Sequence, residues 1–545
     1  MGGIAWPARA LIVAAVAALA TAWFFRFHIA GGFTLFSGDR YDAMIEVAIL
    51  QHWRNVFDGR EAWQTMRYFY PVPGSIGYND GYLVYGALYA VARDLGFGLI
   101  AAADAAHAVV KFAGIVGMYL LLAGPLRCRF GWALAGAAVF GIANVTLQHV
   151  NHAQLLTVAF APYGFVFAWR AVEALVVGDR RRLTAHGVAL GATFALWIST
   201  AYYLAWFFAF FLVIVAAAYL VRVGRDGRRA AWRQLVASRA PLAVVALATL
   251  AMLAPFLWVY LPKALETGTR SMGSIKHSTL SPLEYIDPGI AAGAWSPLFD
   301  PLRAALGLKP GWGLKTNPDD IFGFAPLLFV LAVAGIVRWR RDAWLGPVAV
   351  ALAVAWVLLF RIWVVSPWYA VHLLVPGASA LRVAARFQLL LLVPAVALAT
   401  LLLDRARSRG RALAAAALLL VEQGSATRAP VMLDAHEQQA MIAAVLPPPA
   451  WCRAFVVRST RASAYPAYDL KNDAIYAHNV DAMVLAEVWA RPTVNGYSSF
   501  NPPGWDFAAP ATPDYTARVT RYAARYRLTG LCLLDRRRSP AWAPL

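Results

Sequence analysis

Asp39, Asp42 and Glu46 are spaced i, i+3, i+7 just after the first long apolar run of the chain. That spacing puts three carboxylates on one helical face. A carboxylate held at a membrane surface and partly stripped of water has a raised pKa and can serve as a general base. The same residues also read as joinery: Asp39, following Gly38, would cap the helix that follows, and Asp42 and Glu46 would be a solvated face beside Arg40. Asp80, after Asn79, could return to face Asp39, where a second carboxylate would share a proton or hold a metal. The plainer reading of Asp80 is a turn or a helix cap.

Further candidates are scattered along the chain. His52, beside Trp53 and Arg54, reads as a structural hydrogen-bonder or a substrate contact. His149 and His152, with Asn151 and Gln154, could line a substrate cavity or be plain loop polarity. A zinc reading of this pair lacks a third ligand nearby. Asp104, His107 and Lys111 fall within an apolar run, where charges face a bundle interior, a wet cavity or one another. Lys276 and His277 lie in a long polar segment. Arg382 and Arg386, at i, i+4, precede another apolar run. Their forked guanidinium groups match phosphate oxygens, and salt bridges to Asp319 or Asp320 are the alternative.

The elements that must position these groups follow from composition. The 545 residues are 60% hydrophobic and only 14% charged, with a net charge of +20. Soluble domains carry about 25% charged residues. Apolar runs at 7–27, 97–125, 132–148, 153–176, 184–201, 203–221, 240–261, 321–338, 344–363, 386–403 and 411–423 predict a mainly α, polytopic transmembrane bundle of about eleven spans. The first run continues through Trp23-Phe24-Phe25, past the small-residue pattern a cleavable signal would need, and reads as a retained anchor. Arginines concentrate in the short loops after the second, fourth, sixth and eighth runs and before the last. The positive-inside rule makes that side the cytoplasm and accounts for the charge without nucleic acid. Loops 28–96 and 262–320 fall on the opposite side. Residues 81–94, rich in Tyr and Gly, read as an interfacial helix, because another span would invert every later loop.

From residue 430 the texture changes. Phe455–Val457, 491–495 and 528–534 read as strands, and 481–489 and 515–526 as helices. Residues 430–545 are therefore expected to form a small α/β domain outside the cytoplasm, with residues 1–424 as the transmembrane domain. Cys452 and Cys532 precede or lie in adjacent predicted strands; a disulfide and two separate buried thiols both remain open.

Several segments together resemble the GT-C superfamily of polytopic glycosyltransferases that use polyprenyl-phosphate sugars. They are Gly38-Asp39 after the first span, Phe69-Tyr70-Pro71, Ser281-Pro282-Leu283-Glu284-Tyr285-Ile286-Asp287-Pro288, the stretch from Val375-Pro376-Gly377 through Leu381-Arg382-Val383-Ala384-Ala385-Arg386-Phe387, and Arg491-Pro492-Thr493-Val494-Asn495-Gly496-Tyr497-Ser498. The resemblance spans nearly the whole chain, in short and degenerate motifs. It implies a multi-pass inner (cytoplasmic) membrane enzyme with Asp39 as catalytic base, Asp42 and Asp80 as neighbouring acids, and a lipid-phosphate-sugar donor. Arg382, Arg386 and Lys276 would stabilise the departing phosphate; on the reading of the residues alone, His52, His149, His152 and His277 are the candidates to line the substrate site. The acceptor would be a glycan, lipid or protein outside the cytoplasm. Metal-using members carry an adjacent acidic pair in the first loop; here Asp42 is not adjacent to Asp39, so a divalent cation stays open and no metal ligand is assigned. Two other readings are a lipid-linked glycan polymerase or ligase, and a transporter or flippase; the latter would show internal repeats that the sequence lacks.

Overall fold

In a computed structural model of the chain, residues 6–275, 278–289, 292–306, 314–315, 320–427, 431–458, 470–535 and 539–545 are described. Among the described residues, seven helices are long and apolar enough to cross a bilayer: Trp6–Phe24, Leu99–Ala123, Phe130–Leu147, Ala153–Val177, Tyr202–Arg222, Arg239–Thr267 and Ala384–Asp404. At 18 to 29 residues they reach about 27–44 Å, against a hydrocarbon core of about 30 Å. Exposed Val213, Leu247, Leu250, Leu257, Val330 and Val357 leave the outer faces apolar. Lipid is the solvent such a surface requires, and the chain is a helical membrane protein.

Four more helices occupy expected runs. Arg180–Ile198 and Arg409–Gly424 begin with arginine-bearing turns. Pro326–Trp339 and Leu345–Leu359 have only 14 and 15 residues. Residues 321–325 are irregular rather than helical, and the helix starts at Pro326, whose fixed φ and missing N–H suit a first helical position. The expected run at 132–148 is interrupted between Gly141 and Asn144. The Ala384–Asp404 span is the central post: 94% of its apolar window is buried, against 11% for the peripheral Arg239–Thr267.

At one end of the bundle the arginine loops meet. Arg129 donates Nε to Asp404 at 2.6 Å, Arg222 reaches the Asp342 carbonyl at 3.1 Å, and Arg405 covers the Trp339 ring at 4.6 Å. At the other end the first loop meets the C-terminal segment. Strand β1 (Leu35–Ser37) pairs antiparallel with β2 (Met432–Asp434), and the Phe69 and Tyr70 N–H groups donate to Asn495 and Thr493 at 2.9 and 3.0 Å. Leu83–Asp94, with 12 residues, is about 18 Å long and too short to cross. It lies on the Asp42–Phe57 helix, so close that a Cβ on Gly86 would stand 2.3 Å from the Trp53 ring.

The C-terminal domain is built on a three-stranded sheet, order β3-β4-β5, with β3 (Ala454–Val457) parallel to β4 (Leu531–Leu534) and β4 antiparallel to β5 (Trp542–Pro544). Alternation sorts the strands between two layers. Phe455, Val457, Cys532 and Leu534 pack on the Leu470–Trp489 helix, while Ala454, Val456, Leu531 and Leu533 pack on the Tyr515–Arg525 helix. Cys452 and Cys532 form a disulfide. The predicted strand at 491–495 is not one: Thr493 makes a single bridge to Phe455, and the segment's other hydrogen bonds include those to the first loop at Arg67, Phe69 and Tyr70.

Candidate active site

The helix Asp42–Phe57 begins at a tight turn. Gly38 holds φ +115°, and a Cβ there would meet the Ala43 Cβ at 2.6 Å. This turn aims the Asp39 carboxylate back at the helix start, where one oxygen accepts the N–H groups of Tyr41 (2.9 Å) and Asp42 (2.8 Å). Asp39 is thus the acceptor for two otherwise open helix donors. Its acidity is nevertheless weakened. Burial, then the neighbouring Asp42, push its carboxyl up to about 6, against the opposing pull of those two N–H groups and His152. The three acids of the i, i+3, i+7 pattern do not form one face, because Asp39 lies before the helix. Asp42 is half exposed and meets His152 Nδ1 at 2.9 Å. Glu46 is buried and meets His107 Nε2 at 2.5 Å.

Tyr497 of the C-terminal domain stands over this rim. Its ring lies 6.3 Å from Tyr41 and 4.7 Å from Tyr476. Burial raises its phenol, and Asp42, Tyr476 and Asp39 act in the same direction, while Arg382 opposes them. The two acids and Arg382 therefore all act electrostatically on this phenol. Arg40 ties the rim to the same domain by two hydrogen bonds to Asp481, at 2.9 and 3.1 Å.

Behind Arg382 is a cationic corner. The Tyr203 hydroxyl accepts the Arg382 backbone N–H at 2.7 Å, and the Arg386 guanidinium lies 5.1 Å from the Tyr203 ring centroid. Arg270 belongs to this corner too: burial holds its pKa below the ordinary value, Tyr203 opposes this, and Arg382 adds to it. The Arg270 guanidinium donates to the Ser499 carbonyl at 2.6 Å and lies 4.2 Å from the Phe500 ring centroid. Buried Arg386 stands at the start of the Phe387–Asp404 helix, and its Nε has no hydrogen-bond partner. The helix start adds partial positive charge at the same spot. Asp80 belongs to this end rather than to Asp39: it accepts the Tyr202 N–H at 2.8 Å and feels Arg386, while burial raises its pKa. Buried Tyr82, whose phenol is raised by burial and by Glu46, Asp80 and Asp42, lies between the two ends.

Other predicted site residues lie elsewhere. His52 is fully buried, ten positions along the helix from Asp42, or about 15 Å. Its Nε2 meets the Trp63 carbonyl at 3.0 Å and its Nδ1 meets Glu61 at 3.2 Å. His149 stacks on Phe322 at 4.2 Å, with Nδ1 on the Val145 carbonyl at 2.8 Å. Asp104 sits 3.5 Å from His28, and Lys111 donates to Thr146 at 3.2 Å. The Ser281–Tyr285 motif is a capping box whose Glu284 pairs with Arg361 at 3.3 Å, and Asp287 pairs with Arg303. Lys276, His277 and Asp319 fall outside the described residues.

Sequence reasoning missed Arg270 and Tyr497 as site residues. Arg270 carries the same signal as Arg382, a cation in a segment without a basic excess. Tyr497 carries no local signal. No protein-family model matches this chain, and no curated protein matches it.

Proposed function

We propose that the protein is a membrane glycosyltransferase that moves a sugar from a polyprenyl-phosphate donor to an acceptor outside the cytoplasm, with inversion. The observation that carries this reading is the pairing, round Tyr497 and Tyr203, of a weakened acid with a cluster of guanidinium groups. Asp39 removes the acceptor hydroxyl proton. The resulting oxygen attacks the anomeric carbon, the bond from that carbon to the phosphate oxygen breaks, and the lipid phosphate departs with the electron pair. Arg270, Arg382 and Arg386 stabilise its charge. The proton ends on Asp39, whose pKa of about 6 suits a base working near neutral pH. With the arginine loops read as cytoplasmic by the positive-inside rule, this site belongs to the outer face of the inner (cytoplasmic) membrane. The disulfide fits an oxidising compartment on that side. The chain's likeness to GT-C enzymes supports the same roles.

The experiment is donor turnover. Purified protein in detergent receives a panel of undecaprenyl-phosphate hexoses with crude envelope glycan as acceptor, and released polyprenyl phosphate is followed. Acceptor-dependent release from at least one donor supports the reading; none from any donor counts against it. A transporter reading is favoured by one observation, the Glu46–His107 and Asp104–His28 pairs where the first loop meets the Leu99–Ala123 span, since ionisable groups within spans mark ion paths. Solute-coupled proton uptake in vesicles, lost on Glu46→Gln and kept on Asp39→Asn, would select it.

A further inference from the structure

We propose that His52, Glu61 and Glu487 form a binding site for one borderline transition-metal dication such as zinc, which fastens the C-terminal domain to the first loop. One ligand atom from each of the three lies within 4.8 Å of the others. His52 and Glu487 are completely buried, and the Glu61 side chain is 5% exposed. The site stands apart from the Asp39 rim and does not depend on the transferase reading.

The histidine tautomer points to a cation. His52 Nε2 faces the Trp63 carbonyl at 3.0 Å, and a carbonyl only accepts, so Nε2 carries the hydrogen. That leaves Nδ1 as a lone pair, buried, without a hydrogen-bond partner, and 3.2 Å from a Glu61 oxygen that also lacks one. Two acceptors held this close need a proton or a metal between them. A ring nitrogen fixed by a backbone carbonyl on its far side is the usual support of a ligating histidine.

The carboxylates are supported in the same way. The outer Glu61 oxygen meets Arg67 Nε at 3.4 Å and the Asn55 amide at 3.4 Å, leaving Oε1 for the centre. Glu487 accepts the Arg67 N–H at 2.9 Å and the Asn55 amide at 3.2 Å. One imidazole and two carboxylates suit zinc, with a water as fourth ligand. The edge of such a tetrahedron is about 3.3 Å. The His52–Glu61 separation already matches it, and Glu487 closes by up to about 1.5 Å.

The placement gives the metal its role. His52 belongs to the Asp42–Phe57 helix, Glu61 to the loop after it, and Glu487 to the Leu470–Trp489 helix, which leads directly into the segment carrying Tyr497. A metal here would hold Tyr497 over the rim.

The test uses the full chain in detergent, equilibrated with zinc sulfate, freed of excess and assayed for metal by mass spectrometry. The expected content is about one zinc per wild-type chain, falling at least tenfold in His52→Ala and in Glu487→Gln, with a lower unfolding temperature for wild type after chelation. Wild type holding no more zinc than the variants would overturn the proposal, the cluster then being a proton-sharing carboxyl pair. Should the variants misfold, cobalt added to wild type decides. A visible absorption band of a low-coordinate nitrogen–oxygen site, bleached by zinc, supports the proposal, and its absence overturns it.

Discussion

Asp39→Asn separates the helix-start acceptor role seen in the structure from the general-base role proposed for this residue. The amide oxygen of Asn accepts the Tyr41 and Asp42 N–H groups as the carboxylate does, so the helix start is kept. Asp39→Ala removes that acceptor and costs about 1 kcal/mol of stability. Folded Asp39 has its pKa raised from 3.8 to about 6, so the native state binds the proton more tightly than the unfolded chain. Its contribution to stability is full below pH 3.8 and is lost as pH rises through about 6. At pH 7.5 the Asn variant should therefore be as stable as wild type or more so, by up to about 3 kcal/mol before solvent screening is allowed for. Turnover should move the other way. A general base contributes about 10²- to 10⁴-fold, or about 3–5 kcal/mol of barrier. The wild-type rate should fall about tenfold per pH unit below about 6, the value for Asp39 in the folded protein, and the Asn variant should lose that limb. The assay pairs polyprenyl-phosphate release across pH 5–8 with thermal unfolding of both variants. An Asn variant that is well folded and turns over at the wild-type rate would refute the assignment of Asp39 as base.

Other consequences are separable. Arg382→Ala and Arg386→Ala should each weaken donor use by about 10- to 100-fold, the loss of one charge-assisted contact to phosphate, and Arg382→Lys should restore little because it lacks the fork; steady-state kinetics against donor concentration check this. Cys452→Ser should destabilise the C-terminal domain by about 2–5 kcal/mol, since the disulfide closes an 80-residue separation; unfolding with and without reductant measures it, and the reduced wild type should behave as the variant does. His107→Ala leaves Glu46 buried without its 2.5 Å partner and should cost about 3–5 kcal/mol, read as a loss of folded protein on heating in detergent.

Helix positions were legible because lipid demands long apolar runs, and the runs at 97–125, 203–221 and 240–261 became Leu99–Ala123, Tyr202–Arg222 and Arg239–Thr267. The strands at Phe455–Val457 and Leu531–Leu534 were legible because both are short, apolar and bounded by turns. The short β1, β2 and β5 left no periodic signal; β1 and β2 come together only across some 400 residues of chain. Spacing alone put Asp39, Asp42 and Glu46 on one face, but the positive φ of Gly38 makes Asp39 precede the helix. His52 read as a lone histidine because its partner Glu487 is distant in sequence and close only through the packing of two helices. Tyr497 sits in a segment quoted for its resemblance, yet its place above Asp42 comes from the docking of the C-terminal domain on the first loop.

A single-particle structure of the protein with a non-hydrolysable polyprenyl-phosphonate sugar bound tests the central claim most directly. The account predicts the phosphonate between Arg270, Arg382 and Arg386, with the sugar's anomeric carbon turned toward Asp39 beneath Tyr497. A head group bound at the arginine-loop end of the bundle, or bound with Asp39 turned away from the sugar, would contradict it.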